Sequence, residues 1–319
     1  MFKTRLTDML GIQYPIIQGG LHWLATPELA SAVSNAGALG LITAANYKGK
    51  DDLKADIRRM RELTDKPFGV NVSIGRKQVA EYVEAVLEEP VPVVTTSGRN
   101  PEGYVKRMQE KGTKVIHVVP SVRFAEKAQE VGCDAVVLVG FECGGHPGMD
   151  DVTTFVLIPR AVDVLKIPVI AAGGIADARG FVAALALGAE GVQIGTRFVL
   201  TQECVGHPAY KQALLKGGET DTLIIERSIR STGRVLRNPH AENIVKRERE
   251  GAPTEEIVSM VSGERSWAAT REGDVEGGLM YASQSICLMN DIPTVKELVE
   301  RIIGGAAEVH VRLDGLMGK

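Results

Sequence analysis

A (β/α)8 barrel is the fold class this chain predicts, and three observations predict it. Eight short runs rich in Val, Ile and Leu recur between residues 14 and 194, segments with helical spacing lie between them, and glycines cluster directly after the runs. Near-continuous apolarity suits parallel strands buried on both faces, and eight alternating units close a barrel. A doubly wound open sheet is the competing architecture, normally built from fewer strands.

In chain order the expected strands are 14–18 (YPIIQ), 39–43 (LGLIT), 68–72 (FGVNV), 93–96 (VVTT), 115–119 (VIHVV), 135–139 (AVVLV), 169–172 (VIAA) and 191–194 (GVQI). The expected helices are 27–36, 50–63, 78–87, 101–111, 122–131, 155–165 and 178–187. Several are followed by glycine, as at Gly37, Gly132 and Gly188, where a left-handed residue stops a helix before the next strand. After the eighth strand the pattern changes. Residues 201–274 carry no clear strand, are rich in charge, and are too long for a plain loop. With helix-like stretches at 209–216 and 241–250, they read as a smaller, mostly helical domain inserted after strand eight and standing over one barrel mouth. Terminal helices at 278–289 and 294–313 then return to the barrel. The expected division is therefore 1–200 with 276–319 for the barrel and 201–275 for the insertion.

Composition narrows the function. The 319 residues include 37 Lys+Arg against 40 Asp+Glu, a net charge of -3, which argues against a nucleic-acid binder. The one sharply charged run, KRERE at 246–250, alternates in sign and suits a solvated helix face. No apolar stretch approaches the ~18 residues of a membrane span, and the N-terminus lacks the pattern of an export signal. Cys133, Cys143, Cys204 and Cys287 lie too far apart for a paired zinc or dithiol motif, so no metal is expected, and reduced thiols in a cytoplasmic protein are.

In a barrel of this kind, ligands bind where the strands end, and the loops after strands seven and eight are the usual phosphate site. Here they read AAGGIAD and IGTRF, so Gly173, Gly174, Gly195 and Thr196 bring backbone N–H groups and a hydroxyl to one anion-sized spot. Tight turns alone would use the same glycines. After strand six comes GFECGGHPGMDD, in which His146 follows Gly144 and Gly145 in a turn stiffened by Pro147. A histidine there can move protons near neutral pH, although one that only bonds its own loop would look the same. Glu142 beside it is a base or a structural partner. Strand one ends in QGGLHW, placing His22 at the same mouth and offering Trp23 as a pocket wall or as a rim cover. Asn71 sits inside an apolar strand, and a buried amide needs partners, either within the barrel or on the polar edge of a ligand.

The ordered set QGG, KPFGVN, CGGHPG, IPVIAAGGIAD and GAEGVQIGTRF resembles the nitronate monooxygenase family, formerly 2-nitropropane dioxygenases, essentially end to end. Flavin-dependent enoyl-acyl-carrier-protein reductase II and a bacterial NADH:quinone reductase are branches of the same family. The resemblance implies an FMN-binding TIM barrel with a smaller helical domain. It implies that Gly20, Leu21 and His22 lie along the flavin ring, with Asn71 of the GVN motif and Gly145 near it. Gly173, Gly174, Gly195 and Thr196 would cradle the FMN phosphate, His146 would be catalytic, and Gln284, in YASQS, matches a glutamine near the ring. Two positions depart from the family pattern: Leu21 replaces the methionine common after QGG, and Val118 stands where the quinone-reductase branch has lysine. HVVPSV looks like the enoyl-reductase branch, whereas HPGMDD and IIERSIRSTGRVLRN look like the quinone-reductase and nitronate branch.

The leading expectation is a nitronate monooxygenase that oxidises alkyl nitronates with O2. The alternative is an NAD(P)H-dependent flavin reductase acting on a quinone or an enoyl thioester. A phosphate-binding barrel with isomerase or lyase chemistry and no flavin is the third. All three act on small molecules, and a homo-oligomer fits any of them.

Overall fold

Strand pairing in the computed structural model, which describes residues 2–75 and 77–318, runs almost completely around a barrel. The strands are β1 (Ile16–Gln18), β2 (Gly40–Thr43), β3 (Phe68–Ile74), β4 (Val93–Gly98), β5 (Lys114–Val119), β6 (Ala135–Val139), β7 (Val169–Ala172) and β8 (Gly191–Ile194). They form one parallel sheet in the order β1-β8-β7-β6-β5-β4-β3-β2. The seam between β1 and β2 is closed by a bridge from Ile17 to Leu39, with Leu39 N donating to Ile16 O and Gln18 N donating to Leu39 O, both at 2.9 Å. Gln18 adds a side-chain stitch, its Oε1 accepting from Leu41 N at 3.0 Å. All eight expected strands form, with ends shifted by at most two residues, and the expected helices form as well; Lys50–Leu63 matches at both ends.

Two apolar cores explain the continuous hydrophobicity of the strands. Ile17, Leu39, Leu41, Val93, Ile116, Val137 and Ile170 fill the barrel interior, which Leu6 and Leu10 of the first helix, Arg5–Leu10, plug. The opposite strand faces, with Ile42, Val70, Val94, Val136 and Val192 among them, pack against the surrounding helices. A long helix, Val295–Leu316, starts at a capping box in which Thr294 and Glu297 bond reciprocally, and it lies over the helices Ala178–Ala186 and Pro27–Asn35.

Two expectations beyond the barrel are corrected. Residues 201–275 do hold helices, at Pro208–Leu215, Pro239–Arg249, Thr254–Met260 and Gly263–Trp267, but they also hold an antiparallel hairpin of β9 (Thr222–Ile225) and β10 (Gly233–Leu236). Both strands are only four residues long, and buried Arg234 interrupts the apolar signal of the second, so the sequence pattern hides them. Ile225 and Val235 pack with Ala241, Ile244 and Leu279 into a small core of their own. The second correction is at 278–289, which is not a helix. Tyr281 bridges to Val235, Ser283 caps the next turn, and only Gln284–Leu288 coils, as a short 3-10 segment. Close approach to the loop after β6 holds this chain extended: a Cβ on Gly144 would stand 2.6 Å from the Ala282 carbonyl carbon. Among the described residues no helix is long and apolar enough to cross a membrane.

Candidate active site

The C-terminal ends of the strands open into a cavity of about 1510 Å³. Its floor and walls include most of the residues expected from sequence: Gly20, Leu21, His22, Asn71, Gly145, His146, Gly173, Gly174, Gly195 and Thr196. Trp23 and Gln284 are not among the lining residues. Trp23 instead braces the rim, its Nε1 donating to Gly263 O at 3.1 Å and its ring standing edge-on to Trp267 and stacked on His22. Gln284 is held by its backbone, N to Glu142 O at 3.0 Å, and the neighbouring Ser283 and Ser285 line the cavity in its place.

The wall between β7 and β8 is built for an anion. Gly173 and Gly174 have φ of 101° and 75°, a left-handed pair that a side chain would strain. A Cβ at Gly173 would also meet Gly140 O at 2.8 Å. Thr196 is buried, and its hydroxyl accepts from Ser283 N at 3.0 Å, which leaves its proton for an acceptor in the cavity. Arg197, next in sequence, points elsewhere: its Nη2 donates to Asp291 Oδ1 at 2.7 Å. The cradle is therefore backbone and hydroxyl, without a cation from this loop.

A polar wall is shared by the ends of β1, β3 and β8. A Cβ on Gly20 would stand 2.5 Å from Asn71 Cγ, so only glycine allows β1 to pass this close to the amide. Asn71 Nδ2 donates to Thr95 Oγ1 at 3.1 Å, which orients its carboxamide. Gln193, from β8, lines the cavity with a buried Oε1 that has no hydrogen-bond partner among the described residues. A buried acceptor in that condition is costly unless a ligand donates to it. Glycine cradle, close-passing backbone and orphaned acceptor together suit a flat heterocycle carrying a phosphate, and these residues fit a flavin mononucleotide.

His146 occupies the outer rim with its side chain 60% exposed. Its ring lies beside that of Tyr281, centroids 5.4 Å apart, and its Nε2 is 3.7 Å from Oε2 of buried Glu226. The loop that carries it is clamped: Arg234 N donates to Gly145 O at 2.6 Å, Gly145 N donates to Arg234 O at 3.3 Å, and Thr232 Oγ1 donates to Pro147 O. Glu142 resolves as a structural partner, accepting from Thr154 N at 3.0 Å and from its hydroxyl at 3.1 Å. Cys143 also faces the cavity, but burial pushes its thiol up to about 12, so it stays protonated and is no nucleophile at neutral pH.

Sequence reasoning missed His117, Gln193, Glu226 and Tyr281 as cavity residues. For the first two the signal was present, a polar residue inside an apolar strand, the same signal that marked Asn71. Burial lowers His117 to about 4, and its Nδ1 pairs with Thr96 Oγ1 at 2.8 Å, so it is a neutral wall group rather than a proton carrier. Glu226 and Tyr281 reach the site only because the hairpin and the extended 281–283 segment fold over it.

Comparison with known proteins agrees with this geometry. The nitronate monooxygenase family model matches residues 3–86 and 76–305. A probable nitronate monooxygenase of Staphylococcus aureus (strain MSSA476) is 35% identical, covering 94% of this chain and 96% of its own. The (3aS,4S,5R,7aS)-5-hydroxy-7a-methyl-1-oxo-octahydro-1H-indene-4-carboxyl-CoA dehydrogenase of Rhodococcus jostii (strain RHA1) is 31% identical, covering 98% of each chain. Among solved structures, FabK from Thermotoga maritima aligns with a TM-score of 0.94 and 43% identity over 99% of this chain and 100% of its own.

Proposed function

This chain belongs to the nitronate monooxygenase family of oxidoreductases, and from that premise we propose that it is an FMN-dependent reductase that draws electrons from NAD(P)H and reduces an enoyl thioester. The size of the cavity carries the reading. Sites for one small molecule usually enclose roughly 300–1,000 Å³, whereas this one is about 1510 Å³ and runs outward past His146 to Arg99, Arg123 and Lys127. That is room for a cofactor and a long second ligand, with cations suited to the phosphates of a nicotinamide nucleotide or a thioester carrier. A nitronate of a few atoms needs neither. The likeness of HVVPSV to the enoyl-reductase branch and the full-length likeness to FabK point the same way.

Bound FMN would supply the electron-transfer chemistry. Gly173, Gly174, Gly195 and Thr196 would hold its phosphate, and Gly20, Leu21, His22, Asn71, Gly145 and Gln193 would form the surface for its ring. His146, at the open rim, would deliver the proton to the carbon beside the thioester carbonyl. Residues 201–275 would act as a substrate-side cap, since they provide the hairpin that clamps the His146 loop and much of the outer wall.

A second reading, oxidation of an alkyl nitronate with O2, is favoured by the exposure of His146 and by the name of the staphylococcal relative. In that reaction the same imidazole would take a proton or face the anion. The test is product analysis after incubation with FMN, crotonyl-CoA and NADH or NADPH. The proposal expects butyryl-CoA in one-to-one yield with nicotinamide consumed; turnover of propionate 3-nitronate without any nicotinamide would favour the second reading instead.

A further inference from the structure

The turn between β9 and β10 holds a carboxylate that the turn itself does not use. Glu226 is 5% exposed, although Arg227 and Ser228 beside it face water. Its backbone secures the turn: Glu226 O accepts from Ile229 N and Ser231 N, and Glu226 N donates to Glu248 Oε2 at 3.2 Å. The side chain reaches the cavity wall instead, where Oε2 stands 3.7 Å from His146 Nε2 and Oε1 accepts from the Tyr281 hydroxyl at 3.4 Å. Two features of the hairpin serve that placement. Glu226 has φ 74°, a strained conformation for a residue with a side chain. Gly233 clears the space, since a Cβ there would lie 2.7 Å from Glu226 Oε1.

We propose that Glu226 is a positioning residue for His146. Its carboxylate draws the proton of the neutral ring to Nε2, leaves Nδ1 as the accepting nitrogen, and steadies the ring when it holds both protons, while Tyr281 fixes the second carboxylate oxygen. The tautomer of an imidazole is set by the group that faces one of its nitrogens, and a carboxylate favours N–H on its own side. Three other charged groups beside the His146 loop are occupied. Arg227 pairs with Asp151 at 2.7 Å, Arg234 donates to Phe141 O, and Glu142 is bound to Thr154. Arg230 and Asp150 also line the cavity and are unchanged in every variant below. This inference rests on His146 being the proton-moving group of the proposed function.

The experiment is ¹⁵N NMR of histidine-labelled, FMN-loaded protein at neutral pH, with His146 assigned by its loss in His146→Ala. The wild type is expected to show the Nε2–H tautomer in excess. In Glu226→Gln that excess shrinks and kcat falls about tenfold or more, with KM and flavin retention unchanged. Tyr281→Phe frees one carboxylate oxygen and shifts the tautomer less in the same direction, which keeps the test decisive should Glu226→Gln fold poorly. Glu248→Gln, which turns one of the two oxygens that accept from the turn amides into a donor, lowers thermal stability and leaves the tautomer alone. A wild-type tautomer or an unchanged kcat in Glu226→Gln overturns the proposal, as does an unchanged tautomer in Tyr281→Phe if the first variant is unfolded. Because the spectrum needs no turnover, a shifted tautomer in a protein without enoyl-thioester activity would retain this pairing and refute the proposed function alone.

Discussion

His146 and Gly20 show how much chemistry single positions carry. His146 is exposed and its loop is held at its own backbone by the Arg234 main chain and the Thr232 hydroxyl, so its imidazole is expendable for folding. His146→Ala is expected to fold and retain FMN while turnover drops by ~10²–10⁴, the usual worth of a positioned acid or base; flavin absorbance after gel filtration and steady-state rates check both halves. Gly20→Ala should do the opposite. Its methyl group would collide with Asn71, 2.5 Å from Cγ, so the amide must leave the wall proposed for the flavin ring. Weakened FMN binding with native circular dichroism is the expected outcome, read by fluorescence titration. These positions were legible because glycine and histidine stand out beside apolar runs. Glu226 was not: in IIERSIR it is one charge among several, and only its left-handed turn buries it.

At the scale of elements, the barrel strands and their helices were readable because each strand is buried on both faces and each helix carries one apolar stripe. The hairpin was not, for a physical reason that also predicts its weak point. Arg234 sits 3% exposed inside β10, where a charged residue argues against a strand, and it is tolerated because each nitrogen of its guanidinium has an acceptor. Nε and Nη2 donate to Phe141 O at 3.1 and 2.9 Å, Nη1 donates to Thr222 Oγ1 at 2.9 Å, and the group lies 4.4 Å over the Phe141 ring. Arg234→Met strips the donors from a carbonyl at the root of the His146 loop, and hydrogen bonds to a charged group contribute about 1.5–3 kcal/mol each. The expected loss is at least the worth of one such bond, about 1.5–3 kcal/mol, seen as a lower urea midpoint, together with faster amide exchange at Gly145. Unchanged exchange there would separate the hairpin from the loop. The segment after Gly278 misled for a related reason: its spacing is helical, but Tyr281 is claimed by a bridge to Val235.

For the molecule as a whole, the barrel places one buried histidine where pH acts on folding rather than on catalysis. His117 is lowered by burial from its ordinary 6.5 to about 4. Above pH 6.5 both folded and unfolded chains leave it neutral and it adds nothing to the pH slope. Between 6.5 and 4 the unfolded chain binds a proton that the folded one refuses, so stability falls as pH falls through that window. His117→Asn, which keeps a polar group for Thr96, is expected to lose stability less steeply over that range and to match the wild-type slope above it, measured as urea midpoints at pH 7, 5 and 4. On the proposed function the barrel matters because it gathers its strand ends, those of β1, β3, β6, β7 and β8 among them, at one cavity of about 1510 Å³. The most direct measurement of that function is anaerobic stopped-flow absorbance of the FMN-loaded protein, mixed separately with NADH, NADPH and propionate 3-nitronate. The account predicts rapid bleaching of the oxidised-flavin band by a nicotinamide and its return on adding crotonyl-CoA. Rapid bleaching by the nitronate, with indifference to both nicotinamides, would contradict it.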